Sequence, residues 1–303
     1  MSVIETSING SPSSEPPVSG VSDPSAVVAE RRSRASLRRL AAGEQRKRAV
    51  RLTEALQNDG FCLRYIPRQR LIGAPRLAAD QIEGAELWVG LPNRRRGVVS
   101  VAPLLRDLER PGLREDMLRF SLDAAAAEVA IWPANWRLSV PVPTRTLADG
   151  AVADILMAAL AKAGISDGRI DLQIDESDLV EGGVLLHHAM GALRTRGVGV
   201  VLDGFGATFG SLALLPRLPL TSLKLDRRLA HSGGSDADSD ESVLIRAAVE
   251  IAHRLGITVT IDGIETEAEL ERFRQLGVDF VQGPWIGPAM AAEAIRVRGR
   301  NAQ

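Results

Sequence analysis

From about residue 60 onward, short β-rich runs alternate with longer amphipathic stretches, a pattern that few folds satisfy. Eight runs stand out: FCLRYI from Phe61, EGAELWV from Glu83, RLSVPV from Arg137, RIDLQID from Arg169, GVGVVLD from Gly197, TSLKLD from Thr221, GITVTID from Gly256 and VDFVQG from Val278. Segments with helical spacing sit between most of them, at 113–131, 151–163, 185–196, 240–255 and 266–276. This alternation predicts an α/β fold, a (β/α)8 TIM-like barrel. An open doubly wound sheet is the rival. It would carry a Gly-rich fingerprint after the first strand and gather its polar residues at one crevice. Here the fingerprint is missing, and six runs finish near Glu86, Gln173 with Asp175, Asp203, Lys224 with Asp226, Asp262 and Gln282. In a barrel those strand ends converge on one site.

Ahead of the barrel, residues 1–30 are rich in Ser, Pro and Gly, and too few large apolar groups are present to offset the entropy of ordering. A disordered N-terminal tail is expected there. Residues 31–51 hold nine Lys or Arg against one acidic residue, Glu44, with Leu37, Leu40 and Ala41 at roughly helical spacing. We read 31–51 as a basic helical segment and 52–296 as the barrel domain. The helix is expected to cover the underside of the barrel or to pair with its carboxylates. The competing reading is a tether to nucleic acid or an acidic membrane through Arg31–Arg51. No aromatic residue lies between Arg31 and Arg51 to stack on bases, and a formal net charge of -1 gives no wider argument for such partners. Cys62 is the only cysteine, which excludes an internal disulfide and a cysteine zinc cluster. With no apolar stretch of about 18 residues and no secretory signal, the expected location is the cytoplasm.

A ring of Glu86, Asp175, Asp203, Asp226 and Asp262 around Lys224 suits divalent-metal or acid-base chemistry, and equally suits a polar rim of internal ion pairs. The residues alone leave both open. His187, His188, His231 and His253 lack metal-ligand spacing, and the acidic loop HSGGSDADSD from His231 matches a calcium loop only loosely.

Longer motifs carry a resemblance. VVLDGFGATFGSLALLPRLPLTSLKLDRRLA, Val200 to Ala230, resembles the segment of the EAL family with paired aspartates, Phe-Gly, Leu-Pro and Leu-Lys-Ile-Asp-Arg. ITVTIDGIETEAELERFRQLGVDFVQG, Ile257 to Gly283, is similar to its Glu-Gly-Val-Glu-Thr stretch with the following Asp and Gln-Gly; LQIDES from Leu172 and GAELW from Gly84 add to the match. The resemblance implies a barrel phosphodiesterase that binds two Mg2+ or Mn2+ ions and opens cyclic di-GMP to the linear dinucleotide, the metals activating water. It assigns metal ligation to Glu86 and Asp203, catalysis to Lys224 and Asp262, and places in the pocket or its support Glu176, Lys224, Asp226, Glu265 and Gln282.

This sequence departs from the family at the metal centre. A ligand Asn is Pro141 in VPVP, a ligand Glu is Gln173, and the second aspartate of the pair is Gly204. The family's seventh-strand glutamate is Asp262, one methylene shorter. Such a displacement of about 1 Å costs about a hundredfold in rate. Too few anionic oxygens remain for two adjacent dications. Tyr65-Ile66-Pro67 lacks the Gln that holds guanine, and Leu87-Trp88-Val89-Gly90-Leu91 lacks the phosphate-binding Arg. Trp88 is expected to fill space left by the lost substrate. The expectation is therefore a degenerate member without cofactor, acting as a regulator through an unidentified protein partner, with GFGATFGSL and the next helix as a partner or homodimer surface. A receptor that binds cyclic di-GMP without cleaving it, and a weak phosphodiesterase using Mg2+ or Mn2+, are the alternatives.

Overall fold

The computed structural model describes residues 43–72, 82–93, 95–106, 110–148, 150–165, 168–207, 212–231 and 239–301. The tail expected at 1–30, residues 31–42 of the basic segment, the acidic loop over 232–238 and residues 208–211 of the GFGATFGSL segment lie outside the described residues. The chain divides into two units, 1–46 and 47–303. Of the first, only 43–46 are described, and they are helical.

The second unit opens with helix α1 over 47–57. It continues through β1 (Cys62–Arg70), β2 (Ile82–Asn93), β3 (Gly97–Ser100), α2 (Ala102–Arg106), α3 (Pro111–Val129), β4 (Arg137–Pro141), α4 (Thr144–Ala148) and α5 (Val152–Lys162). The second half runs through β5 (Ile170–Asp175), α6 (Glu176–Thr195), β6 (Gly199–Phe205), a 3-10 turn (Leu212–Arg217), β7 (Ser222–Leu225), α7 (Arg228–His231), α8 (Asp240–Arg254), β8 (Thr258–Ile261), α9 (Glu267–Gln275), β9 (Phe280–Val281) and α10 (Ala292–Asn301). All eight runs singled out in the sequence are strands, and in the order β1-β2-β4-β5-β6-β7-β8-β9 they close back on β1 as a barrel.

One strand departs from a strict (β/α)8 pattern. β1 is antiparallel to both β2 and β9, while β2, β4, β5, β6, β7, β8 and β9 run parallel. A parallel crossover needs about a dozen residues or more, usually with a helix. Only residues 71–81 separate β1 from β2, so the chain turns back instead. β2 overshoots the barrel and pairs with β3 as a hairpin, Asn93 opposite Gly97.

Side chains alternate between the two faces of each strand. Lys224 on β7 reaches Glu86 on β2, which is not its sheet neighbour, so both point into the lumen. Residues in phase with them are largely polar, among them Ser139, Asp171, Gln173, Ser222, Thr260 and Gln282, all buried. Near the lower end, Arg137 pairs with Asp171 and the Arg68 guanidinium lies 4.5 Å from the centre of the Phe280 ring. The opposite phase, including Leu138, Leu172, Leu202, Leu223 and Val259, packs outward under the helices as the main apolar core. Burial of this kind, about 25 cal/mol per Å2 of apolar surface, is the principal drive for closure.

Ala49, Leu52 and Ala55 on α1 form a helical stripe that packs on Leu91, Val101, Leu113 and Met117. Leu91 belongs to the far end of β2, so this helix flanks the C-terminal end of that strand. Covering of the underside, expected from the sequence, does not occur over 47–57, because the apolar stripe finds its partners on the β2 overhang. Arg51 donates to the Pro92 carbonyl there at 3.5 Å.

At the other end of the chain, α10 is fixed to α3. Arg296 holds Glu128 through two bonds, Nε to Oε1 at 2.6 Å and Nη2 to Oε2 at 2.5 Å, and Glu128 also accepts from Trp132 Nε1 at 2.9 Å. Met290 and Tyr65 exchange backbone hydrogen bonds of 2.8 and 3.0 Å, adding a bridge to β1. Replacing Glu128 with Ala strands the Trp132 N–H in the core. We expect Glu128→Ala to lose about 2 kcal/mol in urea denaturation, with Glu128→Gln losing clearly less because its carbonyl still accepts from Trp132.

Candidate functional site

Closure of the barrel brings Glu86 on β2, Asp203 on β6, Lys224 on β7 and Asp262, just after β8, together at one end of the lumen. The Lys224 ammonium bonds directly to Glu86 Oε2 and stands 3.7 Å from Asp203 Oδ1 and 3.6 Å from Asp262 Oδ2. Lys224 and Glu86 are nearly sealed from water, with side-chain exposures of 6% and 11%.

Three carboxylates around one ammonium leave the cluster negative, and its protonation reflects that. Burial pulls Lys224 down, but Glu86, Asp203 and Asp262 outweigh it and hold the ammonium well above its usual range. Burial pushes Glu86 up; Lys224 opposes the shift, Asp203 and Asp262 add to it, and the net direction is upward. Folding thus favours the protonated state of both groups.

The remaining sequence candidates fall into two groups. Gln173 on β5 donates from Nε2 to Asp203 Oδ2 at 2.6 Å, so an amide N–H, not an oxygen, faces that carboxylate. Pro141 lies opposite Gln173 in the β4–β5 ladder. Gly204 follows Asp203 with φ +73°, and nothing lies within 4 Å of where its Cβ would be. Gln282 is buried and donates to the Ile66 carbonyl at 3.3 Å.

The second group is engaged locally. Asp175 caps α6, accepting from the Ser177 backbone N–H at 2.9 Å, and Glu176 is the first residue of that helix. Asp226 accepts from the Arg228 backbone N–H at 2.9 Å and its Nε at 2.8 Å. Burial raises the Asp226 carboxyl, but these bonds prevail and hold it below the ordinary range. The Glu265 side chain is 60% exposed, 3.9 Å from His231 Nε2.

A cavity of about 630 Å3 opens beside the cluster, over the β2, β4, β5 and β6 arc. Glu86, Trp88, Pro141, Gln173, Asp175 and Asp203 line it, together with Thr144, Arg145 and Asp178, which sequence reasoning missed. Thr144 donates to Asp178 Oδ2 at 2.7 Å. Their signal was position: Thr144 and Arg145 come within a few residues of the C-terminal end of β4, where barrel loops build sites. Lys224, Asp226, Asp262, Glu265 and Gln282 are not among the lining residues. Trp88 leans over Gly90, since a Cβ at position 90 would stand 2.4 Å from its indole and 2.4 Å from Val98 Cγ1. The indole thus takes the space a side chain at 90 would need.

Residues 49–289 match the EAL domain. The chain is 27% identical over 252 residues to the bifunctional diguanylate cyclase/cyclic di-GMP phosphodiesterase MucR of Pseudomonas aeruginosa, covering 80% of this chain and 35% of that protein. Against the cyclic di-GMP phosphodiesterase PdeR of Escherichia coli it is 27% identical over 246 residues, covering 80% and 36%. The chain therefore spans about a third of the length of these two curated relatives. A solved c-di-GMP complex of the PaMucR phosphodiesterase superposes with a TM-score of 0.72 at 25% identity, covering 82% of this chain and 99% of that one.

Removing the ammonium isolates Glu86 beside two further carboxylates. Lys224→Met is expected to cost about 3 to 5 kcal/mol at pH 7, as for other buried pairs deprived of one partner. Because the Glu86 carboxyl sits above its ordinary range and loses its counter-charge, the deficit shrinks as pH falls and the group takes up a proton. Urea denaturation of variant and parent at pH 7 and pH 5 reads the difference.

Proposed function

This chain belongs to the EAL domain family, residues 49–289 carrying the match, and we propose that it is a non-catalytic regulator in cyclic di-GMP signalling that works through contacts with a protein partner. EAL phosphodiesterases generally depend on divalent metals, so the reading turns on whether the residues present suit such ions. They do not. The observation that carries this is the Gln173 N–H donated to Asp203 at 2.6 Å. A hard dication needs oxygen donors on the surrounding positions, and here Asp203 is met by an N–H, Glu86 by the Lys224 ammonium, and positions 141 and 204 supply no side-chain oxygen.

The chemistry left to these residues is electrostatic and structural. Lys224 neutralises Glu86 and steadies Asp203 and Asp262; Gln173 fixes the rotamer of Asp203; Trp88 narrows the cavity. Glu86 and Asp203 are remnants of a metal set, and Lys224 and Asp262 of a catalytic one. Gln282 ties the end of β9 to the Ile66 carbonyl on β1, and Asp226 holds the turn after β7 through Arg228. No described helix is long and apolar enough to cross a membrane.

Incubation of the protein with cyclic di-GMP and Mg2+ or Mn2+ is expected to leave the dinucleotide cyclic. Hydrolysis that disappears in Lys224→Ala would overturn the proposal. The combined variant Pro141→Asn, Gln173→Glu, Gly204→Asp and Asp262→Glu is expected to gain metal-dependent hydrolysis. Space at position 204 is open, and Asp tolerates positive φ at a cost of about 1 kcal/mol.

A further inference from the structure

The cavity beside the Lys224 cluster has the chemistry of a cation receptor. Its lining carries the carboxylates of Glu86, Asp175, Asp178 and Asp203 against the guanidinium of Arg145, and with the Lys224 ammonium bonded to Glu86 an excess of two negative charges remains. If metal ions do not offset this charge, the pocket repels phosphates and attracts organic cations. A second observation points to a ligand with N–H donors. Gln173 is only 4% exposed and its Oε1, on the side of the amide turned away from Asp203, has no hydrogen-bond partner. An unmet buried acceptor is costly and is relieved by a bound donor. The remaining walls supply an indole, Trp88, and aliphatic surface from Val89, Val101, Val140 and Val142.

The rim has a distinct character. α6 breaks at Gly183, with φ 50° and ψ -142°, and the next two residues, Val184 and Leu185, are 71% and 68% exposed. Leu185 also belongs to the cavity lining. Two adjacent bare aliphatic side chains thus adjoin an acidic pocket.

We propose that this cavity receives the arginine side chain of a partner protein, whose neighbouring aliphatic residue rests on Val184 and Leu185. The inference rests on the non-catalytic reading above and names the chemistry of the partner. Guanidinium fits better than ammonium: it is planar, stacks on an indole, and offers five N–H donors to carboxylates and to the Gln173 carbonyl. Its aliphatic stem lies along the apolar walls. A pocket of a few hundred Å3 suits one such side chain with its flanking atoms.

The probe is the peptide acetyl-Leu-Arg-Leu-amide, titrated by calorimetry into the full chain at low salt, beside the same peptide with citrulline, a neutral isostere, in place of Arg. Binding of the Arg peptide is expected to exceed that of the citrulline peptide by about tenfold, the scale of a charge-assisted contact. Asp203→Asn and Trp88→Leu, each checked for native circular dichroism, are expected to weaken it severalfold, as is Leu185→Ser on the rim. Equal binding of the two peptides, no heat at millimolar Arg peptide, or insensitivity to all three substitutions overturns the inference. Uptake of two Mn2+ ions that displace the peptide overturns the non-catalytic reading as well. Failure of the peptide to bind while cyclic di-GMP stays uncleaved overturns the arginine pocket alone. If sedimentation shows a homodimer that Leu185→Ser dissolves, Val184 and Leu185 serve self-association and the partner surface is refuted.

Discussion

A single ammonium sits in the lumen of the barrel where water cannot hydrate it, and the upper end of the molecule is organised around its counter-charges. Lys224 draws on Glu86, Asp203 and Asp262 from three other strands. An unpaired charge at that depth would be prohibitive, so the pairing demands that Glu86, Asp203, Lys224 and Asp262 lie at one level of the barrel. Satisfying the charge therefore helps to set register across the barrel, in addition to the apolar packing outside it. The set remains net negative, which is why both members of the buried pair hold their protons more firmly in the folded chain than in the unfolded one.

The same arrangement explains how small sequence changes redirect a site without disturbing its scaffold. Exchanging a carboxylate for the amide of Gln173 keeps the size and reach of the side chain, yet turns an acceptor into a donor toward Asp203. Pro141 costs the sheet little, because it is the last residue of β4 and the ladder to β2 has already ended at Ser139. Gly204 adopts a left-handed backbone that suits glycine. Gly90 and Trp88 are complementary: the indole is accommodated because its neighbour two positions on has no side chain.

Strand identity and the convergence of strand ends were legible because both follow from local pattern: period-two runs and polar residues closing them. Orientation was harder. FCLRYI carries nothing that distinguishes an antiparallel strand from a parallel one; the short connection over 71–81 was the available clue, since it leaves no room for a crossover helix. The run EGAELWV stops at Val89, whereas tertiary pairing with β3 carries the strand to Asn93. Within the site, Glu86, Asp203, Lys224 and Asp262 were foreseen together from motif resemblance. Thr144, Arg145 and Asp178 were not, because single residues in the first turns of α4 and α6 have no periodicity to mark them. The Glu128 clasp with Arg296 was equally silent: nothing in a sequence announces an ion pair spanning 168 positions.

The reversed direction of β1 has a consequence for biosynthesis. β1 touches β2 on one edge and β9 on the other, and the bridge from Met290 to Tyr65 completes that seam. A ribosome that has delivered the chain through α9 has therefore exposed a strand with one edge still unpaired, a surface that invites wrong association until β9 and Met290 reach it. The segment from Phe280 to Met290 thus acts as the latch of the whole vessel.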